Sequence, residues 1–291
     1  MSWRPWANRN PSYFTAVSRT RSARLRGRRV TDYPFFDNAG LPMAFAHRGG
    51  ALTGDSVGLE NSMLAFESAV RLGYRHLETD VHASQDGRLV AFHDATLDRL
   101  TDGTGVISDL SYDEIARARI GGREPIPLLS DLLTAWPDAK VNIDAKSNWA
   151  IEPLARCIDE HRAWDRVCVA TFSAPRLRRL RARLDPRVAT AYSALGVAGL
   201  RVLPLRPLRA VVAARGLAAQ VPPRRGRFEV VTRAFVDRAH ELGKQVHVWT
   251  IDAPDEMHRL LDLSVDAIMT DRTDLLRDVF AARGIWRESR P

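Results

Sequence analysis

The chain has little cysteine, almost no lysine and no long apolar run. Only two cysteines, Cys157 and Cys168, occur in 291 residues. They form neither a disulfide framework nor a CxxC motif, so both are expected as small buried apolar residues. No stretch of about 18 apolar residues appears, so a membrane-spanning helix is not expected. Lysine is limited to Lys140, Lys146 and Lys244, which leaves arginine to carry the formal charge of +8. Acid is missing altogether from residues 1–30, which hold eight arginines, while the remaining 35 basic residues balance 35 acidic ones. The basic surplus therefore belongs to one end of the chain.

Residues 1–40 read as a basic, flexible arm, because runs of like charge are usually solvated. Nucleic acid is not an expected partner. Trp3, Trp6, Tyr13 and Phe14 lie among the arginines and leave weak membrane-surface contact open. The apolar stretch of roughly 7–15 residues that marks a secretory signal is also lacking. The expectation is thus a cytoplasmic protein with peripheral membrane contact through the arm. Its oligomeric state is left open.

From residue 41 to 291 the pattern is that of one barrel-sized domain. Short apolar runs recur at 43–47, 76–81, 89–93, 141–145, 167–172, 187–192, 217–221, 245–250 and 266–270. Amphipathic segments such as NSMLAFESAVRLG (61–73) and RAFVDRAHELG (233–243) lie between most of them. Strand–helix alternation of this kind predicts a parallel sheet. Nine runs exceed the eight strands of a (β/α)8 barrel by one. Residues 82–88 are too few for a parallel crossover, so the run at 89–93 must return antiparallel through the Asp86-Gly87 turn. The prediction is an α/β (β/α)8 TIM barrel with a β-hairpin extension after strand 2.

Active groups in such barrels come from the C-terminal ends of the strands. Those ends offer His47 and Arg48, then Glu78 and Asp80, then Asp144 and Lys146, with Trp249 near the end of the eighth run. A two-residue Asp86-Gly87 turn would pair Asp80 with His93 and return a second histidine to the mouth. Three carboxylates suit a hard cation, Mg²⁺ or Ca²⁺. Arg48 and Lys146 suit the nonbridging oxygens of a phosphate, and His47 and His93 suit general acid–base work. The set reads as metal-assisted cleavage of a phosphate ester. Each member has a plainer alternative: Asp144–Lys146 as a simple ion pair, Trp249 as barrel core.

The order HRG (47–49), EN (60–61), ETD (78–80), HD (93–94), DAK (144–146), VHVWT (246–250) and MTD (269–271) resembles the glycerophosphodiester phosphodiesterases, over about residues 43–275. The resemblance implies hydrolysis of glycerophosphodiesters to glycerol 3-phosphate and an alcohol, within lipid or glycerol metabolism. It implies Glu78, Asp80 and Asp144 as metal ligands, His47 and His93 as the acid–base pair, Arg48 and Lys146 at the phosphate, and Glu60 in support. The family usually has ExK where this chain has Asp144-Ala145-Lys146, so the third ligand is one methylene shorter. Some relatives cleave lysophospholipids at a membrane surface, and a lysophospholipase D-type reaction is the alternative reading. A barrel that binds phosphoesters without turnover is opposed by the intact His47, Glu78, Asp80 and His93.

Overall fold

The structure is a computed structural model and describes residues 30–287 apart from 204 and 214. The arm's residues 1–29 lie outside the described residues. All nine apolar runs form strands of one sheet: β1 (Met43–His47), β2 (His76–Ala83), β3 (Leu89–Ala91), β4 (Lys140–Ala145), β5 (Val167–Ala170), β6 (Ala189–Thr190), β7 (Ala218–Val221), β8 (Gln245–Val248) and β9 (Ala267–Thr270). Eight are parallel and follow one another in chain order from β1 to β9, with β3 set aside on β2. A parallel bridge from Ala191 to Ala218 links β6 to β7 and nearly closes the ring. Helices lie between successive strands, which makes the fold a TIM barrel as predicted.

Period-two alternation decides what each strand contributes. In β1, Ala44 and Ala46 pack outward with the helix residues Phe66 and Ala69, while Met43 and Phe45 join the inner cluster. In β2, Leu77 and Val81 go to the outer core. His76, Glu78 and Asp80 occupy the alternate positions and are also buried. Register then aligns the polar set, with His47 beside Glu78 and Asp80 beside Asp144. The helix Met63–Arg71 is started by Ser62, whose hydroxyl accepts from the Ala65 N–H at 3.1 Å. The helix Arg233–His240 is followed by Gly243 at φ +65°, the left-handed geometry expected of a terminating glycine.

The N-terminal ends of the strands are sealed by residues that had been assigned to the arm. Tyr33, Phe35 and Phe36 are buried among Met43, Phe45, Cys168 and Ala218. Phe35 meets Phe36 edge-on at 5.0 Å between centroids and His76 at 6.0 Å. This part of the expected arm is barrel packing, driven by its aromatic content. Both cysteines are buried, as expected.

The hairpin differs by one residue from the predicted register. The Ser84 N–H donates to the Arg88 carbonyl at 2.9 Å and the Gly87 N–H to the Ser84 carbonyl at 3.0 Å, with Gly87 at φ +78°. The loop therefore holds three residues, 85–87, in the turn-plus-glycine form that hairpins of this length favour. Val81 pairs with Ala91 and His82 with Val90. Asp80 consequently faces Phe92, whose N–H donates to its carbonyl at 3.0 Å, and not His93. A one-residue shift exchanges the faces of a strand, so His93 would be lost to the site if β3 continued. It ends at Ala91 instead, and the chain bends at 93–95.

The long link 95–139 builds a small core of its own on β3, from Phe92, Leu97, Ile107, Ile115 and Ile120. Within SYDEIARAR only Tyr112–Ile115 is helical, and Arg119–Ile120 turns into a ribbon with Glu124–Pro125. The Pro/Arg-rich stretch after β6 forms two helices, Ala194–Val202 and Arg206–Ala213.

Candidate active site

A cavity of about 160 Å³ opens at the C-terminal ends of the strands, lined by His47, Arg48, Glu78, Asp80, His93, Asp144, Lys146 and Trp249 among others. The barrel thus gathers eight of the nine sequence-predicted site residues in one place. The ninth, Glu60, sits behind the wall: its Oε1 accepts from Arg48 Nη1 at 3.0 Å and from Arg99 Nη2 at 2.6 Å.

The bend after β1 presents the first group. Gly49 stands at φ +85°, and a Cβ there would come within 2.7 Å of the Ala65 side chain, so the turn presses against the following helix. Only glycine fits that approach. Arg48 is itself left-handed, at φ +50°. Its backbone N–H donates to Glu78 Oε2 at 3.2 Å. Its Nε lies 2.9 Å from Asp80 Oδ2, an ion pair too poorly aimed to count as a hydrogen bond. Lys146 Nζ reaches both Asp80 Oδ1 at 2.7 Å and Asp144 Oδ2 at 2.8 Å. Two cations are therefore threaded among three buried carboxylates.

The charges respond to that interleaving. Burial pushes the Glu78 carboxyl up, and the neighbouring Asp80 carboxylate adds to this. Burial also acts on Asp80, but Lys146 and Arg48 outweigh it and hold its carboxyl below the usual range. Asp144 is raised by burial, with Lys146 opposing. Burial would lower His47, yet the Glu78 carboxylate and the bond to Asp271 prevail and raise it.

Each histidine is held by a carboxylate. His47 Nδ1 lies 2.8 Å from Asp271 Oδ1, and its Nε2 is 3.8 Å from Glu78 Oε2. His93 Nδ1 lies 2.6 Å from Asp94 Oδ1. Asp94 in turn accepts from Arg99, which holds its carboxyl down at about 2. Asp271 is positioned by its own backbone N–H, which donates to Asp252 Oδ1 at 2.8 Å. Neither Asp271 nor Arg99 was among the predicted site residues. Asp271 ends the MTD motif one residue past the end of β9, a signal that was present. Arg99 lies in the link 95–139, where no periodicity pointed to it.

Among the described residues, no three His, Cys, Asp or Glu side chains converge into a ready metal cluster. The donor set still fits a hard divalent cation in kind: three carboxylates on adjacent strands, with Glu78 raised by burial and, after that, by the neighbouring Asp80. Lys146 now stands between two of them.

A family model described as glycerophosphoryl diester phosphodiesterase matches residues 47–275. The chain belongs to this family. It is 44% identical over 249 residues to a probable glycerophosphodiester phosphodiesterase 2 of Mycobacterium tuberculosis, covering 84% of this chain and 92% of the relative. It is 28% identical over 282 residues to a human lysophospholipase D, covering 82% and 86%. A solved Oleispira antarctica phosphodiesterase in complex with the product sn-glycerol-3-phosphate superposes with a TM-score of 0.69 at 21% identity, covering 84% and 98%. The protein is accordingly a phosphoric diester hydrolase acting on glycerophosphodiesters. Among the described residues no helix is long and apolar enough to cross a membrane.

Proposed function

We propose that the protein hydrolyses glycerophosphodiesters to glycerol 3-phosphate and an alcohol in a divalent-cation-dependent reaction at this cavity. The observation that carries the proposal is the pair of carboxylate-held histidines, His47–Asp271 and His93–Asp94, facing one cavity that also contains Arg48 and Lys146. Glu78, Asp80 and Asp144 would hold the cation, Mg²⁺ or Ca²⁺, which when bound polarises a phosphoryl oxygen.

The chain's own groups supply the remainder. Arg48 and Lys146 bind the nonbridging oxygens, and Glu60 keeps Arg48 in place. Because each histidine uses Nδ1 for its carboxylate, Nε2 is the nitrogen left to exchange protons. One histidine takes the proton of the glycerol hydroxyl as that oxygen attacks phosphorus, while the other protonates the departing alcohol oxygen. Water then opens the resulting cyclic phosphate with the two roles reversed. Trp249, packed edge-on against Phe172 at 5.8 Å, supplies an apolar wall of the same cavity.

A panel of glycerophosphodiesters assayed with Mg²⁺, Ca²⁺ and chelator tests this. Turnover that appears with one cation and is abolished by chelation is expected. Full activity after thorough chelation contradicts the cation assignment, and no turnover of any member contradicts the reaction.

A second reading is favoured by the mouth itself. Phe172 beside the cavity is 57% exposed and Trp149 is 75% exposed. Those side chains suit a substrate with an acyl chain, and the reaction would then be lysophospholipase D-type cleavage of lysophospholipids.

A further inference from the structure

Four successive strand-to-helix connections each expose an apolar side chain at the C-terminal end of the barrel. The loop after β4 carries Trp149, that after β5 Phe172, the first turn of the helix after β6 Leu195 and the loop after β7 Phe228; they are 75%, 57%, 71% and 80% exposed. The first three segments are tied together: Arg176 Nε donates to Asn148 Oδ1 at 3.2 Å, and the Ala194 N–H to the Phe172 carbonyl at 3.3 Å. Those three segments therefore adjoin, and the fourth follows the neighbouring strand, joined by the bridge from Ala191 to Ala218. Single exposed apolar side chains need no explanation, whereas a contiguous set beside a mouth does.

The fourth loop adds charge. After Val221, Pro222 and Pro223 lead into a ribbon in which Arg224–Arg225 pairs with Phe228–Glu229. Its turn, Gly226-Arg227, is exposed, as are both ribbon strands. Arg225 and Arg227 make no ion pair among the described residues. The ribbon's own acid, Glu229, is paired with Arg259 at 2.9 Å. The tip therefore presents free guanidinium groups next to an exposed phenyl ring.

We propose that this rim docks the barrel, mouth first, on an anionic lipid surface. Arginines pair with the phosphate and carboxylate groups of such a surface, while aromatic and aliphatic side chains enter the interfacial layer beneath them. The geometry aims the cavity at the lipid, so a phosphodiester head group would reach the site without leaving the interface. The proposal deepens the lysophospholipid reading of the site and rests on it, but docking and turnover can fail separately.

The test is sedimentation of the full-length protein with vesicles of phosphatidylglycerol and phosphatidylcholine, and with vesicles of phosphatidylcholine alone. Hydrolysis of a soluble glycerophosphodiester without vesicles is measured in parallel. Binding only to the anionic vesicles is expected. Each basic residue at such a surface is worth roughly fivefold in partition. Charge reversal changes the sign and does not merely delete the contact, so R225E/R227E should weaken binding by at least about 25-fold, and F228S should weaken it too. Both variants should keep soluble turnover. Vesicle binding by the wild type that R225E/R227E leaves unchanged overturns the proposal and assigns the binding to another part of the chain. Absence of vesicle binding overturns it as well, and ribbon-dependent self-association in that case assigns the rim to a second copy. Ribbon-dependent vesicle binding without any turnover keeps the docking face and removes the enzymatic reading.

Discussion

The two ends of the barrel both contain buried histidines, and they treat them oppositely. At the sealed end, His76 and His247 lie among Phe35, Phe36 and Phe45, with ring centroids 4.9 to 6.0 Å apart. Among the described residues no carboxylate touches either ring, and burial drives them down to about 3 and about 4 respectively. At the open end, His47 is nearly as well buried, but Glu78 and Asp271 raise it. Burial alone therefore makes a histidine an inert polar core residue. Burial beside carboxylates makes it a group that can hold and release a proton. The sequence alternation is the same at both ends; what differs is whether the neighbouring strands bring aromatic rings or acids to the same level.

The comparison can be broken first at the sealed end, where the largest effect on stability is expected. A histidine held below its unfolded value takes up no proton in the folded state until about pH 4 for His247. The unfolded chain already does so below about pH 6.5. Stability is therefore present above pH 6.5 and lost as pH falls towards the folded value. Between pH 7.5 and 5.0 this single group should remove about 2 kcal/mol. Urea unfolding of wild type and His247→Gln at both pH values checks it, and the variant should lose correspondingly less. Equal pH dependence in the two proteins would show that His247 is not held neutral.

The open end should answer through turnover, with a smaller effect on stability. Asp271→Asn removes a charge that raises His47 while leaving a side chain of the same shape. Turnover is expected to fall by at least about 10²-fold, and by up to the roughly 10⁴-fold loss known for a carboxylate that orients a reacting histidine. The limb of the pH–rate profile governed by His47 should move to lower pH, since Glu78 alone is then left to oppose burial. An unchanged profile with unchanged kcat would mean that the 2.8 Å contact has no part in the chemistry.

Much of this contrast was legible in the sequence, and the exceptions have physical causes. All nine strands, and the gathering of His47, Arg48, Glu78, Asp80, Asp144, Lys146 and Trp249 around one cavity, could be placed because period-two alternation and strand-end position act locally. Register across the hairpin could not, because Asp86-Gly87 fits a two-residue loop as well as the three-residue one that Gly87 completes. The error was absorbed because β3 stops two residues before His93. The sealed end was missed because Tyr33, Phe35 and Phe36 follow a basic stretch and lack periodicity, and only the tertiary fold shows the opening they fill. Arg99 was missed for the same reason: it joins Asp94 to Glu60 across 38 intervening positions on one side and four on the other, with no local pattern to mark it.

The claim at the centre of this account is that His47 and His93 exchange protons with the substrate at the open end. It is tested most directly by kcat for His47→Ala and for His93→Ala on a soluble glycerophosphodiester with saturating divalent cation. Each loss should be about 10²- to 10⁴-fold, the range of a positioned acid or base, with thermal unfolding close to that of the wild type. Near wild-type turnover by either folded variant would contradict the acid–base assignment of that histidine.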